Sequence, residues 1–236
     1  MFKSVPCELV LERQLQFIHI GKCGGSTIFE LLSNSEVVKN RYSCFFESHV
    51  NGVEISSSCD YLICLRNPIA RAFSAFEWRK KLVIDDVCPD QVNRFPGEKR
   101  VLNKYKSLQA LAHSLYRDNG KLDQSVARDF DLIHHLRESI SYYLTPLLPV
   151  LSPANIFGII CQETLAADSR DFLGIDASQL FVRRNLKKRS MHAHLDYLAV
   201  KNLRRFLSKD YQCISALWAL GALEDQRFFN LISGAM

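Results

Sequence analysis

The stretch FIHIGKCGGSTIFELL, residues 17–32, decides most of how this chain is read. It opens on apolar, partly β-branched residues that suit a buried strand. A lysine and a glycine pair follow, and then a helix-like segment. A strand that turns through glycines into a helix gathers free backbone N–H groups and the positive end of a helix dipole around one point, which favours an anion. Lys22 adds a full charge there, Gly24 and Gly25 shape the turn, and Ser26 and Thr27 bring hydroxyl donors into the first helical turn. The common triphosphate loop reads GxxxxGK[ST], with its lysine after the glycines. Here Lys22 precedes them, so the loop is shorter and the lysine approaches from the strand side. That order argues against an ordinary ATPase or GTPase. Taken alone, the stretch also fits a plain strand–helix turn bearing a surface lysine.

Outward from this loop, residues 16–20 read as a buried strand and 26–32 as a helix. YLICLR (61–66) is a second buried strand, and Asn67-Pro68 supplies an N-cap followed by proline at the first helical position, for a helix to about residue 81. Residues 82–103 mix Asp, Pro, Gly, Lys and Arg and read as a surface excursion, with helical periods at 104–117 and 123–144. NIFGIICQE (155–163) is a third buried strand, with a helix to about 173 and two more at 196–207 and 210–233. Short buried strands alternating with helices predict an α/β fold: a three-layer, P-loop-like arrangement with a central parallel sheet flanked by helices. The expected organisation is a single domain over residues 1–236 with a helical excursion at about 82–150. Sites in such sheets lie beyond the carboxyl ends of the strands, where Lys22 and Arg66 stand.

The bulk numbers agree with a soluble enzyme-sized domain. The chain has 236 residues, 47% hydrophobic and 23% charged, enough for one sizeable core. A formal charge of +5 fits an anionic ligand and is too small to argue for nucleic acid. The 8 cysteines include no CxxC pair and no Cys/His group with zinc-site spacing, and Cys64 and Cys161 sit inside apolar runs. They read as free thiols in a reducing compartment, hence a cytoplasmic protein. No apolar run approaches the roughly 20 residues needed to cross a bilayer, and residues 1–16 carry charges that spoil a signal peptide.

The second element, LRNPIARAFS, places Arg66 at a strand end and Ser74 two turns into the next helix. Arg66 offers a planar fork suited to phosphate oxygens. FIHIGKCGGSTI followed by LICLRNPIARAFSAF resembles the sulfotransferases that use 3′-phosphoadenosine 5′-phosphosulfate (PAPS), and most nearly the carbohydrate enzymes related to heparan sulfate 2-O-sulfotransferase and their bacterial relatives. NIFGIICQETLAADSRDFLGI and RRNLKKRS followed by LSKDYQCI resemble later parts of that family, so the likeness spans about 16–81 and 155–214. It implies that Lys22 contacts the 5′-phosphosulfate and stabilises the bridging oxygen, and that Gly24, Gly25, Ser26 and Thr27 cradle the 5′-phosphate. It further implies that Arg66 and Ser74 bind the 3′-phosphate, and that Arg183, Arg184, Lys187 and Lys188 are candidates to close over the nucleotide. Cys23 stands where the family commonly has threonine and Asn67 where it has aspartate. The co-substrate would be PAPS and the product 3′,5′-ADP. A sulfuryl group carries less charge than a phosphoryl group, and no carboxylate pair is evident to hold magnesium, so no metal is implied.

The acceptor, a hydroxyl and by resemblance that of a sugar or polysaccharide, must lose a proton. FFESHVNGV offers His49 and Glu47 between the two anion elements, and His49 is the better base by type. Its His-Val step also resembles the 2-O-sulfotransferase subgroup. His19 reads as a satisfied core or edge residue. His134, His135, His192 and His194 fall outside any matched element, and Phe76 and Trp78 read as core. Arg94, Lys99, Arg100, Lys104 and Lys106 read as solvated, with an acidic polysaccharide as the alternative. Two other functions stay open: a P-loop-type nucleotide kinase or hydrolase, and a nucleotide-binding scaffold without catalysis.

Overall fold

The computed structural model describes residues 13–49, 53–176 and 195–233. Four strands, β1 (Gln14–Ile18), β2 (Phe45–Ser48), β3 (Cys59–Leu65) and β4 (Ile156–Cys161), form one parallel sheet in the order β2-β1-β3-β4. All seven residues of β3 are buried, as a central strand covered on both faces requires. The helices α1 (Gly25–Asn34) and α2 (Glu36–Arg41) join β1 to β2. Between β3 and β4 lie α3 (Pro68–Lys80), a π-helical turn (Lys81–Asp85), α4 (Pro89–Val92), α5 (Glu98–Tyr105), α6 (Leu108–Ser114), α7 (Gln124–Asp131) and α8 (Ile140–Leu147). After β4 come α9 (Leu165–Leu173), α10 (Tyr197–Phe206), α11 (Ser208–Ala219) and α12 (Asp225–Ser233). The chain is thus α/β with a four-stranded parallel sheet flanked by helices.

The topology fixes where a ligand crevice opens. From β1 the chain crosses to β2 on one side, and from β3 it crosses to β4 on the other. With right-handed crossovers, the connecting helices leave β1 and β3 toward opposite faces. The β1/β3 boundary is therefore a topological switch point, and the crevice lies beyond the carboxyl ends of those strands. The segment after β1 holds Lys22 and the residue after β3 is Arg66.

The buried side chains fall into two clusters. One joins the strands to α1, α8, α11 and α12 through residues such as Phe17, Leu31, Tyr143, Leu217 and Leu231. The other is helical and joins Phe76, Leu102, Leu111, Phe130 and Leu203. The α3 start follows its sequence signal: Asn67 Oδ1 accepts the N–H groups of Ile69 and Ala70, each at 3.0 Å.

Several sequence expectations are corrected. Residues 45–48 form the edge strand β2, which the sequence reading left without an element. Residues 82–103 are no loose excursion, because Val83, Glu98, Val101 and Leu102 are buried. Glu98 takes both forks of the buried Arg79, at 2.9 and 2.7 Å. The expected helix at 123–144 breaks between Asp131 and Ile140, where His135 adopts φ 67. The expected helix at 210–233 breaks near Gly221, φ 75. Among the described residues no helix is long and apolar enough to cross a membrane.

Candidate functional site

The loop after β1 is built to leave donors free. Lys22 (φ 70) and Gly24 (φ 85) both lie in the left-handed region, on either side of Cys23. Cys23 N–H donates to Ile20 O at 3.2 Å, and Thr27 and Ile28 donate to Gly24 O at 3.1 Å. The N–H groups of Gly24, Gly25 and Ser26 find no backbone acceptor among the described residues. They stand at the N-terminus of α1, where unpaired N–H groups and the helix dipole form an anion nest. Ser26 is exposed and Thr27 half-buried, so both hydroxyls lie within reach of solvent or ligand.

Cations converge on this nest. Arg66 Nη1 donates to Lys22 O at 3.2 Å, while its Nε is buried with no hydrogen-bond partner among the described residues. Burial, followed by the Arg66 and Arg71 charges, pulls the Lys22 ammonium down to about 8. Lys22 Nζ sits 4.6 Å above the Trp78 ring, a cation–π contact. Trp78 is 37% exposed, so the expectation that it is core is corrected, while Phe76 is fully buried as expected. Ser74 lies one helical turn before Trp78 on α3, on the same face as the ring that Lys22 covers.

Arg71 was not singled out from the sequence, yet it ties the site together. Its Nε donates to Gly21 O at 2.9 Å, and its Nη2 donates to His135 O at 2.7 Å and to Glu138 O. The signal was present: Arg71 occupies a buried-stripe position of α3 that its apolar neighbours Ile69, Ala72 and Ala75 share. A fully buried arginine there requires polar partners.

At the end of β2 the side chains divide their roles. Glu47 bonds Nδ1 of His19, and the His49 ring lies over His19 with centroids 4.1 Å apart. His49 Nδ1 is 2.8 Å from His19 O. A carbonyl oxygen only accepts, so Nδ1 of His49 carries a proton, and in the neutral imidazole Nε2 presents its lone pair. His19 is buried, as expected, but it is more than core: it links Glu47 to His49. Burial, then the His49 charge, pushes the His19 imidazole below its ordinary value despite Glu47. Gly25 makes this stack possible, since a Cβ there would lie 1.8 Å from His19 Cδ2.

His134 and His135, unmatched in the sequence, extend the array. The His135 ring is 6.0 Å from His49 and 3.9 Å from His134, and a Cβ at Gly21 would lie 2.5 Å from His135 Nδ1. One ligand atom from each of His134, His135 and Glu138 lies within 4.8 Å of the others. At the end of β4, Glu163 accepts the Asn67 N–H at 2.9 Å, and burial raises its carboxyl. The structure thus gathers Lys22, Gly24, Gly25, Ser26, Thr27, Arg66, His49 and Glu47 at one sheet end, with the Ser74 face of α3 beside them. Arg183, Arg184, Lys187 and Lys188 lie outside the described residues. Away from the site, Arg100 and Lys104 pair with Asp129 at 2.8 and 2.7 Å.

No protein-family model, curated protein or solved structure matches the chain.

Proposed function

We propose that this chain is a PAPS-dependent sulfotransferase of three-layer, P-loop-like fold, acting on a hydroxyl acceptor that the resemblance makes a carbohydrate. The observation that carries the reading is the convergence of Lys22, Arg66 and His49 at one switch point, beside an anion nest with unpaired N–H donors. We assign the unpaired Nε of buried Arg66, whose Nη1 bonds the Lys22 carbonyl beside the nest, to a second anionic group of the same ligand. PAPS carries both, a 5′-phosphosulfate and a 3′-phosphate, and supplies an activated sulfuryl group.

In this reading the N–H groups of Gly24, Gly25 and Ser26, with Thr27, hold the 5′ end. Arg66 and Ser74 hold the 3′-phosphate. Lys22 neutralises charge on the leaving bridging oxygen, an electrostatic role that a preorganised, partly desolvated ammonium performs well. Nε2 of His49 accepts the acceptor proton. Glu47 is engaged by His19 and acts through it on His49, rather than as the base. A magnesium–ATP reading needs a free carboxylate at a strand end, whereas Glu163 accepts the Asn67 N–H and burial raises its carboxyl.

Transfer of radiolabelled sulfate from PAPS across sugar, lipid and small-alcohol acceptors tests the proposal. Labelled product is expected with a sugar acceptor, and Lys22→Ala abolishes it while nucleotide binding partly survives. Absence of transfer to every acceptor, or unchanged turnover in Lys22→Ala, overturns the reading.

A further inference from the structure

Between α7 and α8 the chain reads His134-His135-Leu136-Arg137-Glu138. The turn brings His134 Nδ1 to 3.2 Å from Glu138 Oε2, and one ligand atom of His135 completes a set within 4.8 Å. Donor atoms 2.0–2.2 Å from a tetrahedral ion lie about 3.3 Å from one another. The His134–Glu138 pair already has that separation, and a His135 donor stands within 4.8 Å of both.

A second observation points to a missing ligand. His134 is only 9% exposed, and its Nδ1 faces the Glu138 carboxylate at 3.2 Å. His135 Nδ1 is buried and has no hydrogen-bond partner among the described residues. Buried ring nitrogens without partners are costly and call for an explanation. A protonated His134 paired with Glu138 would account for the first nitrogen and leave His135 unexplained. A shared cation would give both nitrogens a partner.

The surroundings hold these groups in place. The His134 ring is sandwiched between Phe95, with centroids 4.2 Å apart, and His135 at 3.9 Å. Glu138 Oε1 receives Arg137 Nε and Nη2 at 2.9 and 2.7 Å, and Oε2 receives the His135 N–H at 2.7 Å. Outer partners of this kind orient metal ligands. His135 is kept at φ 67, a conformation a non-glycine residue adopts at a cost of about 1–2 kcal/mol. Arg71 anchors the turn through the carbonyls of His135 and Glu138.

We propose that His134, His135 and Glu138 bind a divalent transition-metal ion of the zinc type. Two imidazoles and one carboxylate suit such an ion, whereas magnesium and calcium take oxygen ligands. The ligand set carries one negative charge, so the bound ion leaves a net positive centre among Lys22, Arg71 and Arg137. An anion rather than water therefore fills the open fourth position. The site is independent of which nucleotide the neighbouring loop holds.

The test uses the full chain, freed of metal by chelation and titrated calorimetrically with Zn²⁺, with Co²⁺ as a spectroscopic stand-in. One equivalent of Zn²⁺ is expected, and four- or five-coordinate Co²⁺ absorption. His134→Gln and Glu138→Gln should each weaken binding by more than the ~10–100-fold that losing an outer partner costs. Arg137→Gln should fall within that range, and His113→Gln, at a ring that pairs with Asp196 instead, should change nothing. Circular dichroism in chelator checks folding, and if His134→Gln fails to fold, Glu138→Gln and Arg137→Gln carry the comparison. No saturable Zn²⁺ binding by the wild type, or affinity unaltered in the folded ligand variants, overturns the proposal.

Discussion

Nδ1 of His49 donates to the main-chain carbonyl of His19 at 2.8 Å while the two rings stack at 4.1 Å. One residue thus sets both the tautomer and the orientation of the other. The edge strand β2 and its neighbour β1 are in register, with Phe17 beside Glu47 and Ile18 beside Ser48, so the arrangement follows from strand pairing. His49→Ala is expected to lower kcat by about 10²–10⁴, the usual contribution of a general base, with little change in nucleotide affinity. Full activity in that variant would remove His49 from the mechanism.

Glu47 enters through the same relationship. Because Glu47 is bonded to the His19 ring, Glu47→Gln is expected to cost far less than His49→Ala. It should also move the pH–rate profile, since a neutral amide replaces the charge beside the stacked imidazoles. A loss as large as that of His49→Ala, with the pH profile unmoved, would return the base role to Glu47. Steady-state kinetics across pH make the comparison.

Lys22 gives a proton-linked signature. Its free value near 8 means that it is largely neutral at about pH 9, and a bound anion raises it. Nucleotide binding at about pH 9 should therefore take up close to one proton, and almost none at pH 7. Calorimetry in buffers of differing ionisation enthalpy reads this directly, and Lys22→Arg should abolish the uptake. The same shift bears on stability. The folded value lies below the ordinary 10.5, so between about 8 and 10.5 the unfolded chain binds the extra proton. Lys22 thus makes stability rise with pH across that window, a slope that Lys22→Met should remove.

Gly25 provides a structural test of the histidine stack. A Cβ at Gly25 would overlap the His19 ring, whereas at Gly120 (φ +73) nothing lies within 4 Å. Gly25→Ala should cost at least the 1–3 kcal/mol typical of overpacking and also impair turnover. Gly120→Ala should cost about 1 kcal/mol of backbone strain alone. Denaturant melts compare the two, and equal small losses would mean that His19 moves aside freely.

Much of this site was legible in the sequence because it lies on the strands with the clearest apolar runs. The loop after β1 and the Asn67 cap are local features, set by residues adjacent in the chain, and both formed where expected. What was not legible depends on long-range packing. β2 is a four-residue edge strand whose FFES pattern lacks alternation, and only pairing with β1 defines it. The approach of His135 to Gly21 joins segments far apart in the chain, through an arginine whose partners are backbone carbonyls. Backbone acceptors leave no trace in residue identity, so Arg71 could be suspected only from its place on a buried helical stripe.

The most direct measurement compares affinities for 3′,5′-ADP, 5′-AMP and ATP, the last with magnesium, by calorimetry on the full chain. Arg66 as a separate 3′-phosphate grip requires 3′,5′-ADP to bind without magnesium and at least ~100-fold more tightly than 5′-AMP, a charge-assisted contact of about 2–3 kcal/mol. Arg66→Ala should remove that advantage. Equal binding of 5′-AMP and 3′,5′-ADP, or a preference for magnesium–ATP, would contradict it.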